Sequence, residues 1–88
     1  MSSEEFRAYV LISVLPGKEN ELTEYVTSKG LLKDANSERM DSVHGTFDAL
    51  MIIRGTWASI DARIMELRKS PSILKTQTLL CSPEMLEK

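Results

Sequence analysis

The sequence predicts an α+β fold: a four-stranded antiparallel sheet with two helices on one of its faces. Three observations lead there. Strand-like and helix-like periodicities follow one another in the order strand, helix, strand, strand, helix, strand. Gly or Pro punctuates most of the boundaries, at Pro16-Gly17, Gly30, Gly45, Gly55 and Pro71. The two strongly apolar strands are the first and third, and the two polar ones are the second and fourth. That is the split βαβ, or ferredoxin-like, arrangement, whose first and third strands are central and whose second and fourth are edges.

Each element has its own justification. Residues 7–15 are β-branched and aromatic and end at Pro16-Gly17, which predicts a strand. Ala8, Val10, Ile12 and Val14 fall on one face of it, and Tyr9, Leu11 and Leu15 on the other, so both faces need cover. Residues 18–29 carry Leu22, Tyr25 and Val26 at helical spacing, with Glu19, Glu21 and Glu24 in the early turns, where the helix dipole favours negative charge. Gly30 is the expected stop. Residues 31–36 read as a loop anchored by two leucines or as an irregular further turn.

Residues 37–43 form a polar edge strand and residues 47–54 a second apolar strand, joined through His44-Gly45-Thr46 as a hairpin. Thr56 is placed to cap a helix over 57–69, with Trp57, Ile60, Ile64 and Leu67 along one face and Asp61, Arg63, Glu66 and Arg68 largely elsewhere. Pro71 prevents continuation. The last strand covers 73–80, with Leu74, Thr76, Thr78 and Leu80 on one side and Ile73, Lys75, Gln77 and Leu79 on the other. The tail over 82–88 reads as loose or as a short terminal helix.

With both helices on one side, the other side of the sheet is left bare although its central strands are apolar there. A large exposed apolar patch marks a partner surface. The simplest partner is a second copy, sheet against sheet about a twofold axis, which makes the predicted assembly a dimeric α+β barrel.

Bulk properties narrow the function. The chain has 88 residues, room for a single domain over 1–88 with a thin core. Its net charge of −2 and the lack of a long Lys/Arg run argue against direct nucleic-acid contact. The single cysteine, Cys81, forms no internal disulfide and no Cys-based metal site, which fits a reducing, cytoplasmic setting. Residues 1–5 are polar and acidic rather than signal-like, and no apolar run approaches the ~20 residues of a membrane helix. One His, one Cys and scattered carboxylates give no metal-ligand spacing, and no cofactor motif is present.

The hairpin His44-Gly45-Thr46-Phe47-Asp48, running into Ala49-Leu50-Met51-Ile52, resembles the Gly-x-aromatic-Asp-apolar strand signature of the Lrp/AsnC effector-binding (RAM) domain. The strand Ile73-Leu74-Lys75-Thr76-Gln77-Thr78-Leu79-Leu80 resembles that domain's last strand, the run from Ala8 to Gly17 its first strand and turn, and the segment from Trp57 to Lys69 its second helix. The resemblance spans about Arg7 to Leu80 and implies a sheet-mediated dimer, assembly of dimers into an octamer or similar ring, and an amino acid or similar effector bound between dimers. Family members usually join this domain to a helix-turn-helix. None is found in these 88 residues, so a stand-alone effector module is expected, acting on transcription through other proteins such as full-length Lrp/AsnC regulators. The polar stretch over 31–37 departs from the family pattern, and Lys75 and Gln77 beside the threonines bear on which ligand fits.

On that resemblance the ligand-binding candidates are Gly45, Thr46, Asp48, Thr76 and Thr78. An amino acid needs donors for its carboxylate, which turn N–H groups at Gly45 and Thr46 supply, and an acceptor for its ammonium, which Asp48 supplies. Thr76 and Thr78 add hydroxyls. Each has a plain alternative role: Gly45 in turn geometry, Asp48 capping the hairpin, the threonines as ordinary strand residues. His44 has a suitable pKa range for a general base, but no partnered nucleophile accompanies it. Trp57 is expected in the core or an interface, and Cys81 as a half-buried structural thiol. No catalytic residue is assigned, and a non-enzyme is expected. A small monooxygenase-like enzyme of the same barrel fold, or a ligand-free assembly module, are the alternatives.

Overall fold

The computed structural model describes residues 5–82. The elements are β1 (Phe6–Val14), α1 (Glu19–Ser28), β2 (Arg39–Ser42), β3 (Ala49–Gly55), α2 (Trp57–Leu67) and β4 (Ile73–Cys81). One antiparallel sheet runs β2-β3-β1-β4, so the apolar strands are central and the polar ones are edges, as the sequence predicts. Most of the expected tail, residues 83–88, lies outside the described residues.

The core forms between the helices and one face of the sheet. Ala8, Val10, Ile12 and Val14 of β1 and Ala49, Met51 and Ile53 of β3 pack with Leu22 and Val26 of α1 and Ile60, Ile64 and Leu67 of α2. Burying each Val, Leu, Ile or Met among them contributes about 1.5–3 kcal/mol, and each alanine less. The predicted helix punctuation is in place. Gly30 adopts φ +63°, and the N–H groups of Gly30 and Leu31 close back onto the carbonyls of Thr27 and Val26, a Schellman stop. Leu31 is then buried and Leu32 packs on the core, so 31–36 is a leucine-anchored loop. Thr56 accepts a hydrogen bond from the Ser59 N–H at 3.2 Å and caps α2.

Three expectations change. The side-chain parity of β4 inverts at its start. A register shift between Ser13 and Val14 brings Ile73 opposite Val14 on the core side and leaves Leu74 in the bulge, 61% exposed. A bulge adds one residue to a strand, so every side chain before it changes face. Trp57 is 50% exposed, because the first helical position lies past the end of β3 with no strand beneath it. Arg63, assigned to the solvent side, is 5% exposed.

On the other face of the sheet, register places Tyr9 and Leu11 of β1 beside Leu50 and Ile52 of β3 and Leu79 of β4. Leu79 is 49% exposed. Arg7 and Arg54 are opposite one another at one end of this apolar strip, and Ser13 and Lys75 at the other.

Candidate functional site

The sheet gathers most of the candidate residues at one end. There β1 finishes, the β2–β3 loop turns, α2 terminates and β4 begins. The loop closes with the Val43 N–H donating to the Asp48 carbonyl at 3.0 Å. Gly45 sits inside it at φ +130°, a conformation that side chains resist, and a Cβ there would meet nothing within 4 Å. Turn geometry alone therefore accounts for a glycine at this position. Gly45 and Thr46 are both exposed.

Asp48 ties this loop to β1 twice. Its N–H donates to the Ile12 carbonyl at 2.8 Å, and its Oδ2 accepts the Val14 N–H at 2.8 Å. The carboxylate thus takes up the Val14 N–H just past the end of the β1–β3 pairing, which stops at Ile12 and Ala49. Asp48 also borders a cleft of about 90 Å³ whose lining includes Leu22, Met40, Glu19, Thr23 and Ser42. Loss of the carboxylate in Asp48→Ala is expected to lower stability by about 1–3 kcal/mol, read as a shifted urea midpoint. A change below a few tenths would mean that the Val14 hydrogen bond carries no weight.

Thr76 and Thr78 are half-buried on the core side of β4, opposite Ile12 and Val10. Ala49 pairs with Ile12 from the other side, so Thr76 and the start of β3 are two strand spacings apart, roughly 10 Å. Within one chain, then, the hairpin residues and the threonines flank β1 and do not share one pocket. A link between the two sides comes from Phe47, whose ring lies 5.6 Å from the Lys75 Nζ. His44 and Trp57 lie at opposite ends of β3, separated by roughly 20 Å of strand, and do not line a common cavity. Cys81 is a half-buried free thiol opposite Arg7. No metal-like cluster of His, Cys, Asp or Glu occurs among the described residues. Nor, among them, is any helix long and apolar enough to cross a membrane.

At the far end lies a buried ion pair that the sequence reading passed over. Arg63 Nη1 donates to Glu38 Oε1 at 2.8 Å and to the Leu31 carbonyl at 3.0 Å, and Nη2 donates to the Arg54 carbonyl at 2.6 Å. Glu38 also accepts the N–H groups of Lys33 and Asp34 at Oε1 and of Arg54 at Oε2. The two side chains are 6% and 4% exposed, and Arg63 Nε has no partner. Two signals were present in the sequence. Arg63 falls within the i, i+3, i+4, i+7 stripe of Ile60, Ile64 and Leu67, and Glu38 alternates with Met40 on the core side of β2.

Burial pushes the Glu38 carboxyl up, but the Arg63 hydrogen bond, the Lys33 and Arg54 N–H groups and the Arg63 charge outweigh it and bring the pKa from 4.5 to about 2. A carboxyl whose pKa is depressed on folding stabilises the fold above its unfolded value and loses that contribution as pH falls through the folded one. Between pH 4.5 and 2, Glu38 should therefore give up on the order of 3 kcal/mol. Urea unfolding at pH 6 and at pH 2.5 tests this: Glu38→Gln should lose less stability between the two than the parent chain does. Equal losses would rule out Glu38 as the source.

The class of protein these features define is a small ferredoxin-like α+β domain with one open apolar sheet face. Solved structures agree. The chain is similar to the crystal structure described as FFRP-DM1, at 28% identity and TM-score 0.69, over 86% of this chain and 97% of that one. It is similar to the hypothetical protein PHS023 from Pyrococcus horikoshii, at 26% identity and TM-score 0.69, over 86% and 88%. It shares its fold with TTHA0845 from Thermus thermophilus, at 22% identity and TM-score 0.71, over 86% and 91%. No family model matches the chain, and no curated protein does.

Proposed function

We propose that this chain is an effector-binding and assembly module of the Lrp/AsnC kind and not an enzyme. It pairs through the open sheet face, its dimers assemble further, and an amino acid or similar small effector binds where dimers meet. It acts on transcription through partner regulators rather than by touching DNA. The observation that carries this reading is the continuous strip of Tyr9, Leu11, Leu50, Ile52 and Leu79 on a face without helices. At one end of the same sheet, Gly45, Thr46 and Asp48 sit on the β3 side of β1, and Thr76 and Thr78 lie on its β4 side, directed toward the core. A site split across β1 in one chain needs a neighbouring copy to close it. The near-complete overlap with FFRP-DM1 supports a small regulatory, effector-binding module.

Native mass spectrometry combined with thermal shift against the twenty amino acids tests the proposal. A mass above dimer and stabilisation by at least one amino acid are expected. A dimer at every concentration, together with no stabilisation by any of the twenty, would defeat it.

A further inference from the structure

We propose that the outer edge of β4 is a second contact surface, on which β4 of another copy pairs antiparallel about a twofold axis through Gln77. Among the described residues the sheet ends at β4, which has β1 on one side and no strand on the other.

The two edges of the sheet differ. β2 has four residues, and its Arg39 and Asp41 form an ion pair. Short, charged strands are one way in which proteins keep an edge from pairing. β4 has nine residues, without Pro or Gly and with Lys75 as its single charge. A long, uncharged edge is a template for another strand. The helices leave its core side thinly covered. Tyr25 of α1 holds α2 from one flank by donating to the Glu66 carbonyl, and α2 packs on β3 and β1. Thr76 and Thr78 are therefore only half-buried, and Leu80 is exposed.

The direction of the main-chain groups follows from the hydrogen bonds of β1. Its Ile12 carbonyl accepts from Asp48 on the β3 side, and its Leu15 N–H donates to Ser72 on the β4 side. Successive strand residues point these groups to alternate neighbours, so Tyr9, Leu11 and Ser13 bond to their partners Leu79, Gln77 and Lys75. Thr76, Thr78 and Leu80 then turn their N–H and C=O groups outward.

The sequence of β4 fits a second copy of itself. With the axis at Gln77, Thr76 faces Thr78 of the second copy and Thr78 faces its Thr76, as two hydrogen-bonded pairs. Threonine pairs of this kind are favourable across strands. Gln77 faces Gln77, and an amide both donates and accepts. Lys75 faces Leu79, so like charges do not meet. The bulge at Leu74 ends the regular ladder, and there the exposed Leu74 of one copy lies beside the exposed Leu80 of the other. An axis one residue to either side would set leucine against threonine instead. A contact that serves both copies with the same residues is isologous and closes on itself.

This deepens the assembly reading, and it rests on the face-to-face pairing for its strength. Two short edge segments fall below the ~1,000 Å² of a stable interface. They hold when a face-paired dimer presents two edges at once. The open face stays free, because the edge axis runs through the sheet and the face axis lies parallel to it.

Sedimentation velocity and amide exchange on the full chain test the proposal. The parent should be larger than a dimer, Thr78→Pro a dimer, and Leu11→Glu, which removes the face pairing, a monomer. Proline at position 78 deletes an outward N–H and leaves the bonds between β1 and β4 in place. Circular dichroism reads whether that variant folds. In the parent, the Thr76 and Thr78 amides should exchange roughly tenfold or more slowly in concentrated than in dilute solution. The Gln77 and Leu79 amides, bonded to β1, should be protected in both. A parent no larger than a dimer would overturn the edge contact, and a dimer would still keep the face pairing. Unprotected Thr76 and Thr78 amides at every concentration would overturn it whether or not the proline variant folds. So would a folded Thr78→Pro with the parent's mass.

Discussion

Arg63→Ala should cost about 3–5 kcal/mol, the largest stability loss expected of any single polar substitution in this chain. The change removes one cation and takes a donor from each of three acceptors: Glu38 and the carbonyls of Leu31 and Arg54. Glu38 would remain buried and charged, held only by backbone N–H groups. Against a typical total of 5–15 kcal/mol, that is a large fraction of the stability. At roughly 4–8 °C per kcal/mol for a domain of this size, a melting temperature lower by roughly 12–40 °C is the readout.

Lysine is not an adequate substitute. Arg63→Lys keeps the charge but cannot reach Leu31, Glu38 and Arg54 from one planar group, so an intermediate loss is expected. The double variant Glu38→Met with Arg63→Met should recover part of the loss, because it leaves no unpaired buried charge. Recovery stays incomplete, since the Lys33 and Arg54 N–H groups lose their acceptor. A melting temperature within a few degrees of the parent in Arg63→Ala would show that the pair is not a structural tie.

Leu11→Glu should leave the monomer folded and abolish pairing. Leu11 lies at the middle of the open face, between Leu50 of β3 and Gln77 of β4, with its side chain directed away from the core. In a lone chain a glutamate there still reaches water. In the proposed face-to-face dimer a carboxylate enters the interface from each copy, and each carries a penalty of several kcal/mol. The dissociation constant should therefore rise by roughly a thousandfold or more, at about 1.4 kcal/mol per factor of ten. Sedimentation velocity reads the mass, and far-ultraviolet circular dichroism reads the fold. A variant with the parent's mass would place the interface elsewhere, and a parent that is monomeric at all concentrations would end the pairing proposal. Leu11→Lys separates the effect of charge from that of its sign, and should dissociate the dimer as well.

These two variants draw on different parts of the molecule, and the sequence disclosed them unequally. The open face was legible because alternation is strict in β1: Tyr9 and Leu11 are apolar, and so are Ala8, Val10 and Ile12 on the other side. Central strands that are apolar on both faces need cover on both, and two helices after alternate strands can cover only one. The Arg63–Glu38 pair was written in the same periodicities, yet a charged residue inside an apolar stripe reads as solvent-facing until its partner is known. That partner is 25 residues away on another element.

By itself the sequence determined the order of elements, the helix caps at Thr56 and Gly30, and the central position of β1 and β3. All of these follow from local spacing and from burial of apolar surface, which depend on a few neighbouring residues at a time. Only the tertiary structure decided the rest. The bulge opposite Ser13 and Val14 exchanges the faces of Ile73 and Leu74, and the Asp48 carboxylate is spent on the Val14 N–H. The strand order puts β1 between the hairpin and the threonines. Register, bulges and buried charge pairs depend on which distant segments meet, and no local pattern encodes that choice.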